Sequence, residues 1–449
     1  MKYIDIIVIG GGPAGQIAAT TAKSEYKDKS VAIITEKLDM LVPCGIPYIF
    51  HDLGSTEKNH TDATGIRDVG GELIIDKVTK IDRAGKTLST VENGDISYDK
   101  LIFATGSLPV IPTFIKGFDT LGSHIVQKEY DSMDTIKKAV DDSEKVVVIG
   151  GGFVGCEFAE QIAKDGKKVT LIEALPHCLS KSFSDSVCTE AEKALRNIGV
   201  DVRINTKVTE ITGTDSVDKV CLSTDECIDV DTVIISVGFK PNSELAKNSG
   251  LEITNSGAIK VDNYMRTNDE NIFAVGDCSS TQGFITGKPD NIMLASTGTA
   301  EARILGHNIY NIKLSRKFQG TLGIFSTKIG GIAFTCAGAN ERMADEANIE
   351  YVQGVFKGID KHPGRFEDTS RIGIKLLASK SDGRIIGAEV WGAHTAGEII
   401  NIVGMAIQNG TTVFDLLTYQ IGTHPLLTGP PTGYSVIKAA EMIYSKLTN

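Results

Sequence analysis

A single cysteine stands between two prolines in LVPCGIPY, residues 41–48, where its thiol could carry redox chemistry. As a thiolate, Cys44 would be a nucleophile that can attack a disulfide or be oxidised to a sulfenic acid. The chain has eight cysteines and no CxxC pair, so no metal-ligand spacing accounts for this one. The alternative is a buried, inert thiol, which is the interpretation we apply to Cys156, Cys178, Cys188 and Cys278, with Cys336 taken as structural.

Two glycine-rich turns could bind phosphate groups. Strand-like IDIIVI runs into Gly10-Gly11-Gly12-Pro13-Ala14-Gly15, and KVVVI runs into Gly150-Gly151-Gly152-Phe153-Val154-Gly155. In each set the first glycine permits a tight turn, the second lets the backbone approach a pyrophosphate, and the third packs a helix on a strand. A glycine turn before a helix is common by itself, but two complete units predict two dinucleotide sites.

Each unit continues through a helical stretch into a second strand that ends in a carboxylate. VAIITE ends in Glu36 and KVTLIE ends in Glu173. Carboxylates at these positions can accept hydrogen bonds from ribose hydroxyls.

Three further apolar stretches end in glycine-containing turns: LIFATGSLP (101–109), TVIISVGFKPN (232–242) and TNDENIFAVGDC (267–278). Asp277 follows the third of these strands, where a helix N-cap is the alternative role for a carboxylate. From about Phe318 the chain reads as strands GVFKG, IGIKLLAS and RIIGAEVWG with a helix at 396–408, followed by IGTHPLLTGPP, which contains His424.

Size and charge limit the classes of function. A chain of 449 residues exceeds one ordinary core, so two or three domains are expected. The net charge of −11 disfavours nucleic acid or an anionic membrane as the main partner. The N-terminus lacks a signal peptide pattern and no stretch is long enough to span a bilayer, which predicts a cytoplasmic protein with reduced thiols and no disulfide framework.

In this ordered set of motifs the whole chain resembles the flavoprotein pyridine-nucleotide-disulfide oxidoreductases. The resemblance implies an α/β fold with two Rossmann-like dinucleotide-binding domains and an α+β C-terminal dimerisation domain. It places the FAD-binding domain at 1–115 and 245–318, the NAD(H)-binding domain at 116–244 and the dimerisation domain at 319–449, in a homodimer with FAD and NAD(H) as cofactors.

The resemblance also assigns residues to the cofactors. Phe153 matches an aromatic lid over the face of the flavin at which nicotinamide binds, and Glu157 matches a carboxylate near that face; a packed helix residue and a solvated helix charge are the alternatives. The residues implied for FAD are Gly10, Gly12, Pro13, Ala14, Gly15, Glu36, Ala104, Thr105, Gly106, Gly276 and Asp277, and those for NAD(H) are Gly150, Gly152, Phe153, Gly155, Glu157, Glu173 and Gly238.

The residues after Glu173 favour NADH over NADPH. A carboxylate repels a 2′-phosphate, and NADPH enzymes usually replace it with a neutral residue and add arginine nearby. Ala174-Leu175-Pro176-His177 follows Glu173, with no arginine and no lysine before Lys181.

Cys44 resembles the redox thiol of the single-cysteine branch of the family, which includes coenzyme A-disulfide reductases, NADH oxidases and NADH peroxidases. Two-cysteine relatives carry a second cysteine five positions away, but here those positions hold Asp39 and Ile49. An internal redox disulfide in this segment is therefore excluded. A helix N-terminus and neighbouring donors are expected to lower the pKa of the Cys44 thiol.

His424-Pro425 departs from the single-cysteine pattern. It resembles the His-Pro of the two-cysteine enzymes, in which a histidine of the partner subunit acts as acid and base beside the redox thiols. The glutamate that orients that histidine is replaced here by Gly429. An ordinary turn histidine is the alternative.

Three functions follow from these features. The first is an enzyme in which hydride passes from NADH to FAD and electrons pass on to Cys44, which reduces a small disulfide, persulfide or polysulfide, with coenzyme A derivatives among the candidates. The second is an NADH oxidase or peroxidase that cycles through a Cys44 sulfenate. The third is an electron-transfer subunit of a larger complex.

Overall fold

A computed structural model describes residues 1–316 and 320–448 of the chain. The expected boundary between residues 318 and 319, and the expected start of the C-terminal strands at Phe318, lie outside the described residues. Within these residues, three sheets of five to seven strands carry the main cores, and the other sheets have two or three strands each.

The N-terminal segment forms a mixed sheet around a parallel centre. Strands Glu72–Ile75, Val31–Thr35, Lys2–Ile9 and Asp95–Phe103 are parallel neighbours in this order. Strands Thr87–Thr90 and Val78–Asp82 continue the sheet antiparallel. Both faces of the central strands are buried, so these strands read as continuous apolar runs rather than alternating ones. The elements are β1 (Lys2–Ile9), α1 (Pro13–Glu25), β2 (Val31–Thr35), β3 (Met40–Leu41), β4 (His60–Thr61), α2 (Gly65–Asp68), β5 (Glu72–Ile75), β6 (Val78–Asp82), β7 (Thr87–Thr90), β8 (Asp95–Phe103) and β9 (Ser107–Pro109).

The second segment repeats the strand–turn–helix–strand unit in a five-stranded parallel sheet. The strand order is Ser123–Ile125, Thr232–Ile235, Lys145–Ile149, Lys168–Ile172 and Asp201–Arg203. The segment also contains a three-stranded antiparallel sheet. The elements are β10 (Ser123–Ile125), α3 (Tyr130–Asp141), β11 (Lys145–Ile149), α4 (Phe153–Lys164), β12 (Lys168–Ile172), α5 (Asp185–Asn197), β13 (Asp201–Arg203), β14 (Val208–Thr212), β15 (Lys219–Leu222), β16 (Cys227–Asp229), β17 (Thr232–Ile235) and β18 (Phe239–Pro241).

The chain then returns to the first sheet. β18 pairs antiparallel with β9, and β19 pairs parallel with β8, which places Asp277 at the carboxyl edge of that sheet. The elements of this segment are α6 (Glu244–Asn248), β19 (Ile272–Ala274), β20 (Thr281–Gln282), β21 (Pro289–Asp290) and α7 (Ala295–Asn308).

The C-terminal segment is an antiparallel sheet covered by helices, in the order β22-β23-β26-β25-β24. Its elements are β22 (Ile324–Ile329), β23 (Ile332–Gly338), α8 (Glu341–Glu346), β24 (Tyr351–Ile359), β25 (Arg371–Ser379), β26 (Ile385–Gly392), α9 (Ala396–Gln408), α10 (Val413–Leu416) and α11 (Ser435–Thr448). The expected α/β class and the separate α+β C-terminal unit are confirmed.

Two expectations from the sequence are corrected. The stretch 267–278 is a strand only over Ile272–Ala274, because Gly276–Cys278 turns into a short 3₁₀ helix. The expectation that all thiols are reduced is wrong for Cys221 and Cys227, which form a disulfide. They face each other in the register of β15 and β16, so the hairpin itself brings the two sulfurs together.

A buried ionic cluster joins the C-terminal sheet to the second segment. The Lys375 ammonium lies 2.6 Å from Glu341 and 3.3 Å from Glu389, which faces it on the neighbouring strand. Glu389 also accepts hydrogen bonds from the backbone N–H and the hydroxyl of Ser184, the residue before α5. Burial raises the pKa of Glu389, so its charge depends on these partners.

Replacing Lys375 with methionine should destabilise the C-terminal unit by about 3–5 kcal/mol, because Glu389 would be left buried without its cation. Trp391, the only tryptophan of the chain, lies two residues from Glu389 and reports urea unfolding of this unit by fluorescence. The matched control is Lys380→Met, which removes an exposed ion pair with Glu350 and should cost under about 1 kcal/mol. Equal midpoints for the two variants would contradict this account.

Candidate active site at Cys44 and two dinucleotide-binding turns

The first and third glycines of each fingerprint are in van der Waals contact. Gly10 and Gly150 have positive φ angles of 111° and 108°, which favour glycine. A Cβ at Gly15 would lie 2.0 Å from the Gly10 carbonyl oxygen, and one at Gly155 would lie 1.8 Å from that of Gly150. Any larger residue would push the helix off the strand, which is the packing role expected for the third glycine.

The middle glycines face open space. A Cβ at Gly12 or at Gly152 would meet no atom within 4 Å, and neither α1 nor α4 has a side-chain cap at its N-terminus. Pro13 occupies the first turn of α1, where its missing N–H costs no hydrogen bond. The uncapped backbone N–H groups and the free space fit a phosphate group at each helix N-terminus.

The two carboxylates expected at the ribose sites differ in their surroundings. Glu36 is exposed and lies 3.3 Å from the Lys77 ammonium. Glu173 accepts hydrogen bonds from the backbone N–H groups of Gly151 at 2.6 Å and of Leu175 at 2.7 Å. Glu173 therefore holds the second glycine turn in place, and binding of ribose by both residues remains a prediction.

The Ala104-Thr105-Gly106 turn packs directly on the first fingerprint. A Cβ at Gly10 would lie 2.2 Å from the Ala104 carbonyl oxygen. The Thr105 hydroxyl donates to the Asn242 carbonyl at 2.6 Å, which ties this turn to the strand end after Gly238. At the same edge a Cβ at Gly276 would contact Ala14 at 3.0 Å. The turns expected to surround FAD therefore converge on one edge of the sheet.

Asp277 has a cationic partner that the sequence did not reveal. Its carboxylate accepts hydrogen bonds at 2.8 Å from both the Lys128 ammonium and the Ser107 hydroxyl. The Lys128 ammonium also lies 2.9 Å from the Ser107 hydroxyl and 4.7 Å from the centre of the Phe239 ring. Lys128 precedes α3 by two residues and carries no local motif, so only the packing of distant segments identifies it.

Cys44 lies in the first turn of the 3₁₀ helix Pro43–Phe50 and is exposed. Gly45 permits this turn, because a Cβ there would lie 2.0 Å from the Asn59 side-chain oxygen. The Asn59 side chain in turn donates to the Val42 carbonyl at 3.1 Å. The other five free cysteines are buried, as expected for Cys156, Cys178, Cys188, Cys278 and Cys336.

The 3₁₀ helix is held against α4. The Phe50 and Phe158 rings pack edge to face at 5.1 Å, and both side chains belong to one buried core that also includes Ile329 and Phe334 of the C-terminal sheet. Asp52 and Gln161 exchange two hydrogen bonds of 3.0 Å. Three segments of the chain therefore fix the position of Cys44.

The pKa of the Cys44 thiol is raised, contrary to the expectation of a lowered value. Burial is the largest cause, followed by the negative charge of Glu157, while Lys128 acts in the opposite direction and Asp277 adds a smaller upward effect. Cys44 is exposed to solvent, but enough protein surrounds its sulfur to disfavour the charged thiolate. Burial, together with the negative charges of Glu157 and Asp277, outweighs the effect of the expected donors.

Glu157 is not a solvated helix charge. Its carboxylate accepts a hydrogen bond from the Thr327 hydroxyl of β22 at 2.7 Å, and burial raises its pKa to about 7. One turn earlier, the Phe153 ring stacks on Phe325 of the same strand at 5.3 Å. The C-terminal unit thus contacts the start of α4, and the lid role of Phe153 stays a prediction.

His424 is exposed on a tight turn. Its backbone N–H donates to the Thr428 hydroxyl at 3.0 Å, and its Nδ1 accepts from the Leu426 N–H at 3.2 Å. This bond leaves the proton on Nε2, which is the tautomer that can donate to a substrate. Among residues 1–316 and 320–448, no carboxylate bonds to this imidazole, in agreement with glycine at position 429.

A cavity of about 700 Å³ opens beyond Glu173, between the β12–α5 loop and the C-terminal unit. Leu175, His177 and Lys181 line one side, and Lys288 and Arg342 line the other. Arg342 donates to the Ser180 carbonyl. Tertiary structure therefore adds cations here that the local sequence after Glu173 does not contain.

Two glycine turns with open space at uncapped helix N-termini, together with one exposed thiol, are the features expected of an oxidoreductase that uses two dinucleotides. The sequence matches the model of the pyridine nucleotide-disulphide oxidoreductases over residues 4–302 and that of their dimerisation domain over residues 324–432. The chain belongs to this family, and FAD and NAD(H) are its cofactors.

Similar proteins include sulfur reductases and oxidases. A CoA-dependent NAD(P)H sulfur oxidoreductase of Pyrococcus abyssi is 31% identical, over 91% of either chain, and an NADH oxidase of Enterococcus faecalis is 29% identical, over 92% of this chain and 93% of its own length. The structure of an NAD-dependent persulfide reductase from A. fulgidus superposes with a TM-score of 0.88 at 30% identity, covering 99% of this chain and 83% of that one.

No helix in the described part of the chain is both long and apolar enough to cross a membrane.

Valine at Gly12 should leave the fold intact, because no atom lies within 4 Å of the added Cβ, and should abolish FAD retention by filling the phosphate space. Valine at Gly152 should instead retain FAD and prevent its reduction by NADH. Gly65→Val is the control, since Gly65 is an exposed glycine with equally open surroundings. Absorbance of purified protein at flavin wavelengths measures retention, and full FAD content in Gly12→Val would show the assignment of the first turn to be wrong.

Proposed function

We propose that this protein is a homodimeric, NADH-dependent flavoenzyme that reduces a small disulfide, persulfide or polysulfide at Cys44, with coenzyme A derivatives among the candidate acceptors. The observation that carries the proposal is the exposed Cys44 thiol at the first turn of a 3₁₀ helix that packs against α4. Relatives at 30–31% identity with sulfur and persulfide reductase activities support this choice.

The residues expected to hold FAD surround the first fingerprint. The N-terminus of α1 would bind the pyrophosphate, Glu36 a ribose, and Asp277, fixed by Lys128 and Ser107, a hydroxyl of the ribityl chain. When bound, FAD supplies two-electron transfer from reduced nicotinamide to sulfur.

We also propose a division of the chain into three domains. The FAD-binding domain comprises 1–115 and 245–318, the NAD(H)-binding domain 116–244, and the dimerisation domain 319–449. The separate sheets and the return of β19 to the first sheet support this division.

NAD(H) would bind at the N-terminus of α4. Glu173 at the ribose disfavours a 2′-phosphate by charge repulsion, which supports NADH as the preferred donor. Arg342 and Lys288 across the adjoining cavity are the groups that could weaken this preference.

Cys44 performs the sulfur chemistry. Its thiolate attacks one sulfur of the acceptor, forming a mixed disulfide as the acceptor's S–S bond breaks and the second sulfur leaves as a thiolate. That thiolate takes a proton from a doubly protonated histidine, for which His424 of the partner subunit is proposed; the imidazole gains that second proton at Nδ1 when Nδ1 releases the Leu426 N–H. Two electrons that originate from NADH then cleave the mixed disulfide, which releases the second thiol and restores Cys44.

An apolar surface on the C-terminal unit supports dimer formation. Large apolar side chains are exposed on α9, α10 and the His-Pro turn, in the segment that matches the family's dimerisation domain. They are Ile402, Met405, Phe414, Tyr419, Leu426 and Leu427, and Met405 and Leu427 are each at least 66% exposed. Burying this surface against a second copy would carry His424 towards the other subunit.

A second candidate function is NADH oxidation by oxygen, with Cys44 cycling through a sulfenate. The identity of 29% to an NADH oxidase and the exposure of the single redox thiol favour it.

Cys44→Ser should abolish reduction of coenzyme A disulfide and of polysulfide, because a hydroxyl is not ionised near neutral pH. FAD content and the loss of flavin absorbance on adding NADH should be unchanged. NADH consumption is measured with each acceptor and with oxygen alone. Cys156→Ser, a buried thiol on α4, is the matched control.

The outcomes separate the candidate functions. Rapid oxygen consumption by the wild type, with little disulfide turnover, would favour the oxidase. Flavin reduction without turnover of any small acceptor would favour an electron-transfer subunit. A Cys44→Ser variant that reduces sulfur acceptors at the wild-type rate would refute the mechanism.

The role of His424 can be tested by mixing subunits. His424→Ala should slow acceptor turnover and leave NADH-dependent flavin reduction intact. A mixed dimer of one Cys44→Ser chain and one His424→Ala chain contains one complete site if each site uses residues of both subunits, so it should recover about half of wild-type turnover. An inactive mixed dimer, or a monomer with full activity, would rule out action across the interface.

A further inference from the structure

The turn that carries Cys44 is closed at the carbonyl oxygen of Val42. This oxygen accepts the Gly45 N–H at 2.9 Å, which closes the first turn of the 3₁₀ helix around Pro43 and Cys44. The same oxygen accepts the Asn59 side-chain amide at 3.1 Å. The Val42 N–H donates in turn to the Asn59 backbone carbonyl at 3.0 Å. Asn59 therefore holds both backbone polar groups of Val42.

The oxygen of the Asn59 side chain packs against Gly45. A Cβ at Gly45 would lie 2.0 Å from Oδ1 of Asn59, and the three atoms nearest to it all belong to that side chain. The φ angle of Gly45 is not in the left-handed region, so its backbone could accommodate alanine. The Asn59 side chain is thus what excludes a larger residue. One asparagine therefore contacts the chain on both sides of Cys44.

Asn59 is itself held in place. It is 3% exposed and ends the short 3₁₀ helix Glu57–Asn59. The strand that follows it, β4, pairs with β3 directly before the Cys44 turn. On the outer side the Tyr130 hydroxyl of α3 donates to Glu57 at 3.0 Å, and the Tyr130 ring meets the His60 ring edge to face at 6.1 Å. The start of α3 therefore supports the segment that contains Asn59.

We propose that Asn59 is a positioning residue for the sulfur chemistry: it restrains the backbone on both sides of Cys44 and so keeps the sulfur in line with the S–S bond of an acceptor. The inference rests on the proposed role of Cys44 as the attacking thiol. In that step the Cys44 thiolate bonds to one acceptor sulfur, and the other sulfur leaves with the electron pair of the broken bond. A displacement of about 1 Å can cost about 100-fold in rate, so restraint of this turn matters for turnover.

A purely structural role for Asn59 predicts a different result. Loss of a buried hydrogen bond would then lower the urea midpoint and leave turnover per folded molecule unchanged. A positioning role predicts that kcat falls while KM for the acceptor stays the same, because Asn59 is too deeply buried to touch an acceptor.

A double-mutant cycle isolates the contact between Asn59 and Gly45. Gly45→Ala should lower kcat with coenzyme A disulfide by about tenfold, because the added methyl group displaces the turn. Asn59→Ala should lower kcat to a similar extent. In the double variant Gly45→Ala should cost nothing more, since the atoms that its methyl group would strike are absent. Equal losses from Gly45→Ala in both backgrounds would overturn the inference.

Amide hydrogen exchange tests the restraint without any acceptor. It is measured by mass spectrometry on peptides that cover residues 41–48 of the flavin-containing protein. Asn59→Ala should speed exchange at Val42 and Gly45 by at least about tenfold, because the turn opens more easily. If this variant loses flavin, it is compared with wild type after both have been depleted of flavin. Unchanged exchange in this turn would contradict the inference.

Asn340→Ala is the matched control. Asn340 is also 3% exposed, and its side chain caps α8 by accepting the Met343 N–H at 2.9 Å. Its replacement should lower the urea midpoint and leave both kcat and exchange at residues 41–48 unchanged. A loss of kcat as large as that of Asn59→Ala would show that buried asparagines act through stability alone, and would overturn the inference.

Failure of the inference and failure of the proposed function give different results. If the wild type turns over no sulfur acceptor, the proposed function fails, and the exchange rates still decide whether Asn59 restrains the turn. If Asn59→Ala reduces coenzyme A disulfide with the kcat of the wild type, the inference alone fails.

Discussion

The contact between the third glycine of each fingerprint and the carbonyl of the first is the constraint on which both proposed cofactor sites depend. At Gly15 and Gly155 the helix lies so close to the preceding turn that even a methyl group would overlap the backbone. This close approach directs the first N–H groups of α1 and α4 towards open space at Gly12 and Gly152. Protein interiors resist such overlap because they are close-packed, so the helix position is determined to within a fraction of an ångström.

A shared core fixes the helix that carries Cys44 relative to the second glycine turn. The helix that carries Cys44 packs on α4, and α4 also packs on strands of the C-terminal sheet. Thr327 and Phe325 of that sheet contact Glu157 and Phe153 at the start of α4. The thiol, the second dinucleotide turn and the C-terminal unit therefore form one packed body, in which a shift of any one part would disturb the others.

The electrostatic surroundings of Cys44 show why motif position alone did not predict its ionisation. The lone cysteine at the start of a helix suggested a lowered pKa, but burial and Glu157 raise it. The short 3₁₀ helix offers only a few N–H groups, whereas a carboxylate in a partly buried site acts through a low effective dielectric. Lys128 and Asp277 partly cancel each other, so the net effect on the thiol depends on charges from three segments.

The sequence by itself determined the two strand–glycine turn–helix–strand units, the strands β24, β25 and β26, the helix Ala396–Gln408 and the position of a lone cysteine between two prolines. These features depend on residues a few positions apart, where periodicity and backbone conformation act directly. Tertiary structure alone decided that Lys128 pairs with Asp277, 149 positions away, and that Thr327 bonds to Glu157, 170 positions away. It also decided the Cys221–Cys227 disulfide, whose spacing became meaningful only once the β15–β16 register was known. Such contacts depend on how separate segments pack, and lysine, threonine and glutamate carry no local pattern that records their distant partners.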